Sequence, residues 1–335
     1  MHIIQAKDLN VSNLEQTAIF NEAEDWIDDM PEGWQDIKTD AILHSMRGFS
    51  AEIQKYRNFN SKIDSDLVNI PVKDINGGGL LNVRMRLYGD IGGAPKPLLI
   101  FFHGGGWSMG SLENTDNFCR ALVKNGDLLV LSSDYPLAPE NPYPSALNTC
   151  TEIVKYVYSR LNEWNVKPGN LSIGGEGAGG NLAMASAMRI EEAPENKLDI
   201  NSVVLYYPLL EVGVDKTLPS WRKYTKGYGF DSRYLDAASQ AYLIGIEDNP
   251  KDNSTRSPFV SPYLISDALL QKLPSILIIA AGRDILIDRQ IELAERSDKI
   301  ELINFEGALH GFLSDGQQKT AFKKAVEITR DFLVK

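Results

Sequence analysis

Four short stretches hold residue types that can carry acyl-transfer chemistry. "AAGRDILID" (280–288) puts Asp284 just beyond an apolar run, and "FEGALHGF" (305–312) puts His310 just beyond another. An imidazole can carry a proton between a nucleophile and a leaving group near neutral pH. A carboxylate can hold its tautomer and support the imidazolium. Asp288 competes for the acid's role, but its position suits a helix cap. "FFHGGGWSMGS" (101–111) has three successive glycines, whose N–H groups can converge on a developing oxyanion. Gly104 and Gly105 are expected to supply two donors and Ala178 a third, while His103 braces the loop. The fourth stretch, "LSIGGEGAGGNLA" (171–183), runs an apolar strand into a tight corner and then a small-residue helix. Gly175 and Gly179 bracket position 177 at the offsets of a strained turn that projects a nucleophile outward. The residue there is Gly177, which has no group that can attack a carbonyl. Neighbouring Glu176 should point elsewhere and is no substitute.

The same corner also satisfies G-x-G-x-x-G through Gly175, Gly177 and Gly180. A dinucleotide fingerprint opens the first βαβ unit and has an acidic residue at the tip of the next strand. Here several strands come first, and Glu191 and Glu192 fall at a charged helix end. No Lys-Ser or Lys-Thr follows, which rejects a phosphate-binding P-loop.

Elements that must position these residues are legible in the hydrophobic pattern. Apolar runs predict eight strands, near 66–75, 80–89, 96–102, 127–135, 169–175, 200–208, 274–284 and 300–307. The first two form a hairpin across "NGGG". Helices are expected near 112–125, 145–165, 178–192, 288–298 and 317–334. This order predicts an α/β fold with a mainly parallel sheet, in which ligands bind beyond the C-terminal strand ends. Two helical parts break the rhythm. Residues 1–62 contain helical periodicity, and the aromatic-rich stretch 211–256 reads as an insertion. Together they are expected to cap the α/β domain spanning 63–335, excluding water. Packing of 11–60 on one side of the sheet is the alternative. Trp26, Trp34, Phe49, Tyr56, Phe59, Trp221, Tyr224, Tyr228, Phe230 and Tyr234 are candidates to line a pocket or fill the core. Gly106, Trp107 and Met109, next to the glycine run, are further pocket candidates.

At this point the sequence resembles the hormone-sensitive-lipase-like branch of the α/β-hydrolases, which contains carboxylesterases and acetyl esterases. The motifs are "HGGGW", "DYPLAPENPYP" (134–144), "GEGAGGN", "DIL" and "HGF", and the resemblance runs from about 65 to the end. It implies the α/β-hydrolase fold, an oxyanion loop at His103, Gly104 and Gly105, and a triad completed by Asp284 and His310. Serine is expected at the position of Gly177. Asp134 and Glu140 are expected to hold local backbone groups and position the elbow. No cofactor or metal is required for the implied mechanism.

Gly177 therefore splits the functional expectation. One reading is a carboxylic ester hydrolase for small to medium esters, inactivated by Ser→Gly at 177. The other is a natural relative that binds a ligand in the old pocket without catalysis. Retention of the acid, the base and the glycine loop favours the first. With 34 Lys and Arg against 45 Asp and Glu, the net charge is −11, which disfavours nucleic acid and anionic membranes as partners. The longest apolar run, "PLLIFF", is too short to span a bilayer. The N-terminus lacks a signal-peptide shape. A cytoplasmic location is expected, with room for a homodimer through the sheet edge or the C-terminal helix. Only Cys119 and Cys150 are present, so a disulfide framework is not expected.

Overall fold

The computed structural model describes residues 12–28, 63–76, 82–193, 198–228, 230, 232–246 and 256–334. Eight strands make one sheet: β1 (Val72–Asn76), β2 (Arg84–Tyr88), β3 (Lys96–Phe102), β4 (Leu129–Ser133), β5 (Val166–Glu176), β6 (Ser202–Tyr206), β7 (Ser275–Ala281) and β8 (Ile300–Phe305). Their order across the sheet is β1-β2-β4-β3-β5-β6-β7-β8. β2 runs antiparallel to both of its neighbours, and every other pairing is parallel. The helices are α1 (Asn13–Asp28), α2 (Asp116–Val123), α3 (Ser145–Tyr158), α4 (Ala178–Glu192), α5 (Pro219–Tyr224), α6 (Ser232–Tyr242), α7 (Asp267–Leu270), α8 (Ile287–Ala294) and α9 (Lys319–Leu333).

The continuous apolar strands follow from burial on both faces. In β3, Leu98, Ile100 and Phe102 join one core with Leu182 and Met184 of α4. Leu99 and Phe101 point the other way, into a second core with Phe118 of α2 and Ile328 of α9. Alternation of polarity is therefore absent although alternation of direction persists. The helix expected over 145–165 is shorter, ending at Tyr158, and β5 starts earlier than expected, at Val166.

Helix α1 is bound to the C-terminal part of the chain. Gln16 donates from Nε2 to the Asn304 carbonyl (3.0 Å) and accepts from the Glu306 N–H (3.1 Å). Glu22 accepts from the Thr320 N–H and hydroxyl, both at 2.8 Å. Arg283 pairs with Glu24 at 2.6 Å and lies between the rings of Phe20 and Tyr228. The side chain of Trp26 and all of Trp34, Phe49, Tyr56 and Phe59 lie outside the described residues. The insertion between β6 and β7 carries α5 and α6. Asp288, in the first turn of α8, accepts the Ser220 N–H at 2.8 Å, and Ser220 Oγ donates to the Ile285 carbonyl. No described helix is long and apolar enough to cross a membrane.

Candidate active site

The corner between β5 and α4 is as tight as its glycines suggest. A Cβ on Gly175 would fall 2.5 Å from the Gly179 carbonyl carbon, and one on Gly179 would fall 2.1 Å from the Phe102 carbonyl oxygen. Only hydrogen at both positions lets α4 leave the sheet this close to β3. Between them Gly177 has φ 52° and ψ −115°. Its N–H donates to the Tyr206 carbonyl (3.0 Å), and its carbonyl accepts from Asn181 (3.1 Å) and Leu209 (3.0 Å). Those three bonds impose the conformation from the strand on one side and the helix on the other.

A Cβ at 177 would meet His310 Nε2 at 3.5 Å and Cε1 at 3.8 Å, with no other neighbour within 4 Å among the described residues beyond those adjacent in the chain. On the far side of the ring, His310 Nδ1 donates to Asp284 Oδ2 at 2.6 Å. Asp284 is buried, and its Oδ1 accepts the Leu286 N–H at 3.0 Å, which fixes the carboxylate. With the proton held on Nδ1, the Nε2 lone pair faces position 177. Asp284 rather than Asp288 thus partners the histidine, because Asp288 is engaged by the insertion. The imidazole is held by rings on both sides: Phe230 stacks on it at 4.1 Å and 14°, and Tyr207 packs at 4.7 Å and 56°.

The glycine loop corrects one expectation. The Gly104 N–H donates to Glu176 Oε1 at 3.1 Å, and its carbonyl accepts from His103 Nδ1 at 2.8 Å. Both backbone groups of Gly104 are used to hold the loop, so it is not an oxyanion donor. Gly105 and Gly106 come next, and among the described residues neither N–H has an acceptor; both line the site cavity with Ala178. Gly105, Gly106 and Ala178 thus line the cavity with amides that have no acceptor among the described residues, one residue further along the loop than the pair the sequence suggests.

His103 braces the loop, as expected. It is buried, stacks on Tyr135 at 4.3 Å, and its carbonyl accepts from the Tyr135 hydroxyl. Burial holds its pKa below the ordinary 6.5. Asp134 also holds the loop, taking the Leu112 N–H at 2.9 Å and Arg84 Nε at 2.8 Å. Glu140 is exposed.

Glu176 does point away from the position of attack, but it is not idle. Its second oxygen accepts from the Tyr207 hydroxyl, which itself accepts the Leu313 N–H at 3.3 Å. Burial and the Glu176 charge push the Tyr207 hydroxyl well above its usual range, keeping it a donor. One chain of contacts therefore ties the glycine loop to the histidine loop. Tyr207 was not anticipated; the available signal was the pair of tyrosines in "LYYP", where a buried strand ends.

The cavity beside Gly177 has a volume of about 50 Å³. Gly106 and Met109 line it as expected, and the insertion contributes Phe230, Tyr234 and Ala238. Trp107 does not. It is fully buried and stacks on Tyr242 at 4.2 Å and 6°, so the indole anchors the loop to α6 from behind. Trp221 is likewise part of the core.

Residues 99–314, more than half of the chain, match a protein family described by the alpha/beta hydrolase fold. The chain belongs to that family. The chain is 29% identical over 255 residues to carboxylic ester hydrolase LipN of Mycobacterium tuberculosis, covering 74% of this chain and 65% of that one. It therefore spans just under two thirds of that relative's length. It is also 29% identical to an arylesterase of Saccharolobus solfataricus over 249 residues, 73% of this chain and 76% of the other. In three dimensions the chain is similar to a thermostable esterase from Pseudomonas putida, with a TM-score of 0.76 and 20% identity over 97% of this chain and 98% of that one. That last likeness concerns the fold.

Proposed function

We propose that the cavity at Gly177 is the acyl-transfer site of a carboxylic ester hydrolase for small to medium esters, and that glycine at 177 removes its nucleophile. The observation that carries this reading is the placement of His310 Nε2 3.5 Å from where a Cβ at 177 would lie, with Asp284 2.6 Å behind the ring. A serine hydroxyl, one bond beyond that Cβ, comes within reach of Nε2. It attacks the ester carbonyl while His310 takes its proton. The N–H groups of Gly105, Gly106 and Ala178 hold the oxyanion, and the imidazolium then protonates the departing alcohol. Water clears the acyl-enzyme by the reverse proton path. The intact acid, base and donors support replacement of serine in an active esterase as the origin of Gly177.

The test is hydrolysis of p-nitrophenyl acetate by the purified protein and by Gly177→Ser. The serine variant is expected to raise kcat by ~10³-fold or more, since a triad without its nucleophile loses most of its power. A folded serine variant with no gain overturns the esterase reading. Tight calorimetric binding of an ester or acid by the glycine protein would then favour the ligand-binding alternative.

A further inference from the structure

We infer that the glycine protein is itself a slow hydrolase, in which His310 activates a water molecule directly at the place a serine side chain would take. The inference rests on the esterase reading of the site and extends it to a different nucleophile. Space and polarity support it. Among the described residues, apart from its chain neighbours, the atoms within 4 Å of a Cβ at 177 belong to the His310 ring, Nε2 and Cε1. The adjoining cavity of about 50 Å³ exceeds the ~10–15 Å³ that a water needs. Such a water finds an acceptor in Nε2, whose lone pair is exposed because Nδ1–H is committed to Asp284. The amides of Gly105, Gly106 and Ala178 are backbone groups lining the same cavity and remain for the oxyanion without a side chain at 177.

The reaction is a single displacement. Water oxygen bonds to the acyl carbon as its proton passes to His310 Nε2, giving a tetrahedral oxyanion. Collapse breaks the bond to the leaving oxygen, and the imidazolium returns the proton to it. The products are the carboxylic acid and the alcohol, and no covalent enzyme species forms. Water is a weaker and less tethered nucleophile than a serine in the elbow. The class of substrate served is therefore an ester with a good leaving group, such as an aryl ester.

The experiment follows p-nitrophenyl acetate turnover by the glycine protein, Gly177→Ala, His310→Gln and Gly177→Ser, with folding checked by circular dichroism. Expected are a steady rate above buffer without an initial burst, and a drop of ~10²-fold or more for His310→Gln, the span of general-base catalysis. Gly177→Ala should fall tenfold or more, because its methyl takes the water's place 3.5 Å from Nε2. Gly177→Ser should show a burst and gain a phosphoryl adduct with a phosphate triester, while the glycine protein gains none. Should Gly177→Ala misfold, a solvent deuterium isotope effect on the glycine protein supplies the second readout, and its absence counts against the inference. Turnover indifferent to His310→Gln, or a burst in the glycine protein, overturns the water mechanism and leaves the esterase reading standing. Failure of Gly177→Ser alone to react removes that reading instead.

Discussion

Position 177 sets function against stability in a single residue. At φ 52° and ψ −115° a glycine is at ease, whereas a side chain pays ~1–3 kcal/mol for that conformation. Gly177→Ser is therefore expected to lower unfolding free energy by ~1–3 kcal/mol while it raises turnover, and urea denaturation of both proteins checks the first half. The residues that hold charge and protons were legible in the sequence, because Asp284 and His310 each stand at the tip of an apolar strand. Choosing between Asp284 and Asp288 was not, since both follow the same strand. The hydrogen bond of His310 to Asp284 and the docking of Ser220 onto Asp288 separate them. Gly104 illustrates a related limit. Three consecutive glycines advertise available amides, but the peptide plane decides which amide turns inward, and Glu176 claims the first.

The strand–helix corner and the glycine loop make their demands as elements. Gly179→Ala would place a methyl 2.1 Å from the Phe102 carbonyl oxygen, a backbone atom that cannot step aside. That variant is expected to be recovered insoluble or to melt far below the parent, measured by expression yield and thermal denaturation. Glu176→Ala removes the acceptor of the half-buried Gly104 N–H and the partner of the buried Tyr207 hydroxyl. It should cost ~1–3 kcal/mol of stability, and in a Gly177→Ser background kcat should fall more than KM rises. Steady-state kinetics on p-nitrophenyl acetate reads that split, because a displaced donor weakens the transition state more than substrate binding. The inner strands are visible as apolar runs, since burial on both faces leaves an unmistakable composition, whereas the exposed edge strand β1 begins only at Val72. Helix ends were blurred, as at Tyr158, where the apolar pattern continues into a turn. Trp107 departs from the sequence expectation for a further reason. Adjacency to the loop indicated proximity, yet the partner that claims its indole, Tyr242, lies 135 residues away in the insertion.

The whole molecule carries a pH dependence through His103. Its Nδ1 donates to the Gly104 carbonyl, burial disfavours its charged form, and its pKa in the fold lies below 6.5. The unfolded chain thus binds this proton more readily than the native protein. The stability it protects is complete above about pH 6.5 and is lost as pH falls toward the folded value. Melting temperature should drop between about pH 7.5 and about pH 5.5, and the slope should be shallower in His103→Gln. Beyond the site, the amide of Gln16 has a consequence for the outermost strand. The Asn304 carbonyl and the Glu306 N–H are two residues apart, the pair through which a strand's rim would recruit another chain. One glutamine side chain occupies both, imitating the peptide unit of an additional strand. The terminus of β8 is thereby sealed against edge-to-edge polymerisation, and any second copy approaching that rim would first have to pry the amino-terminal helix loose.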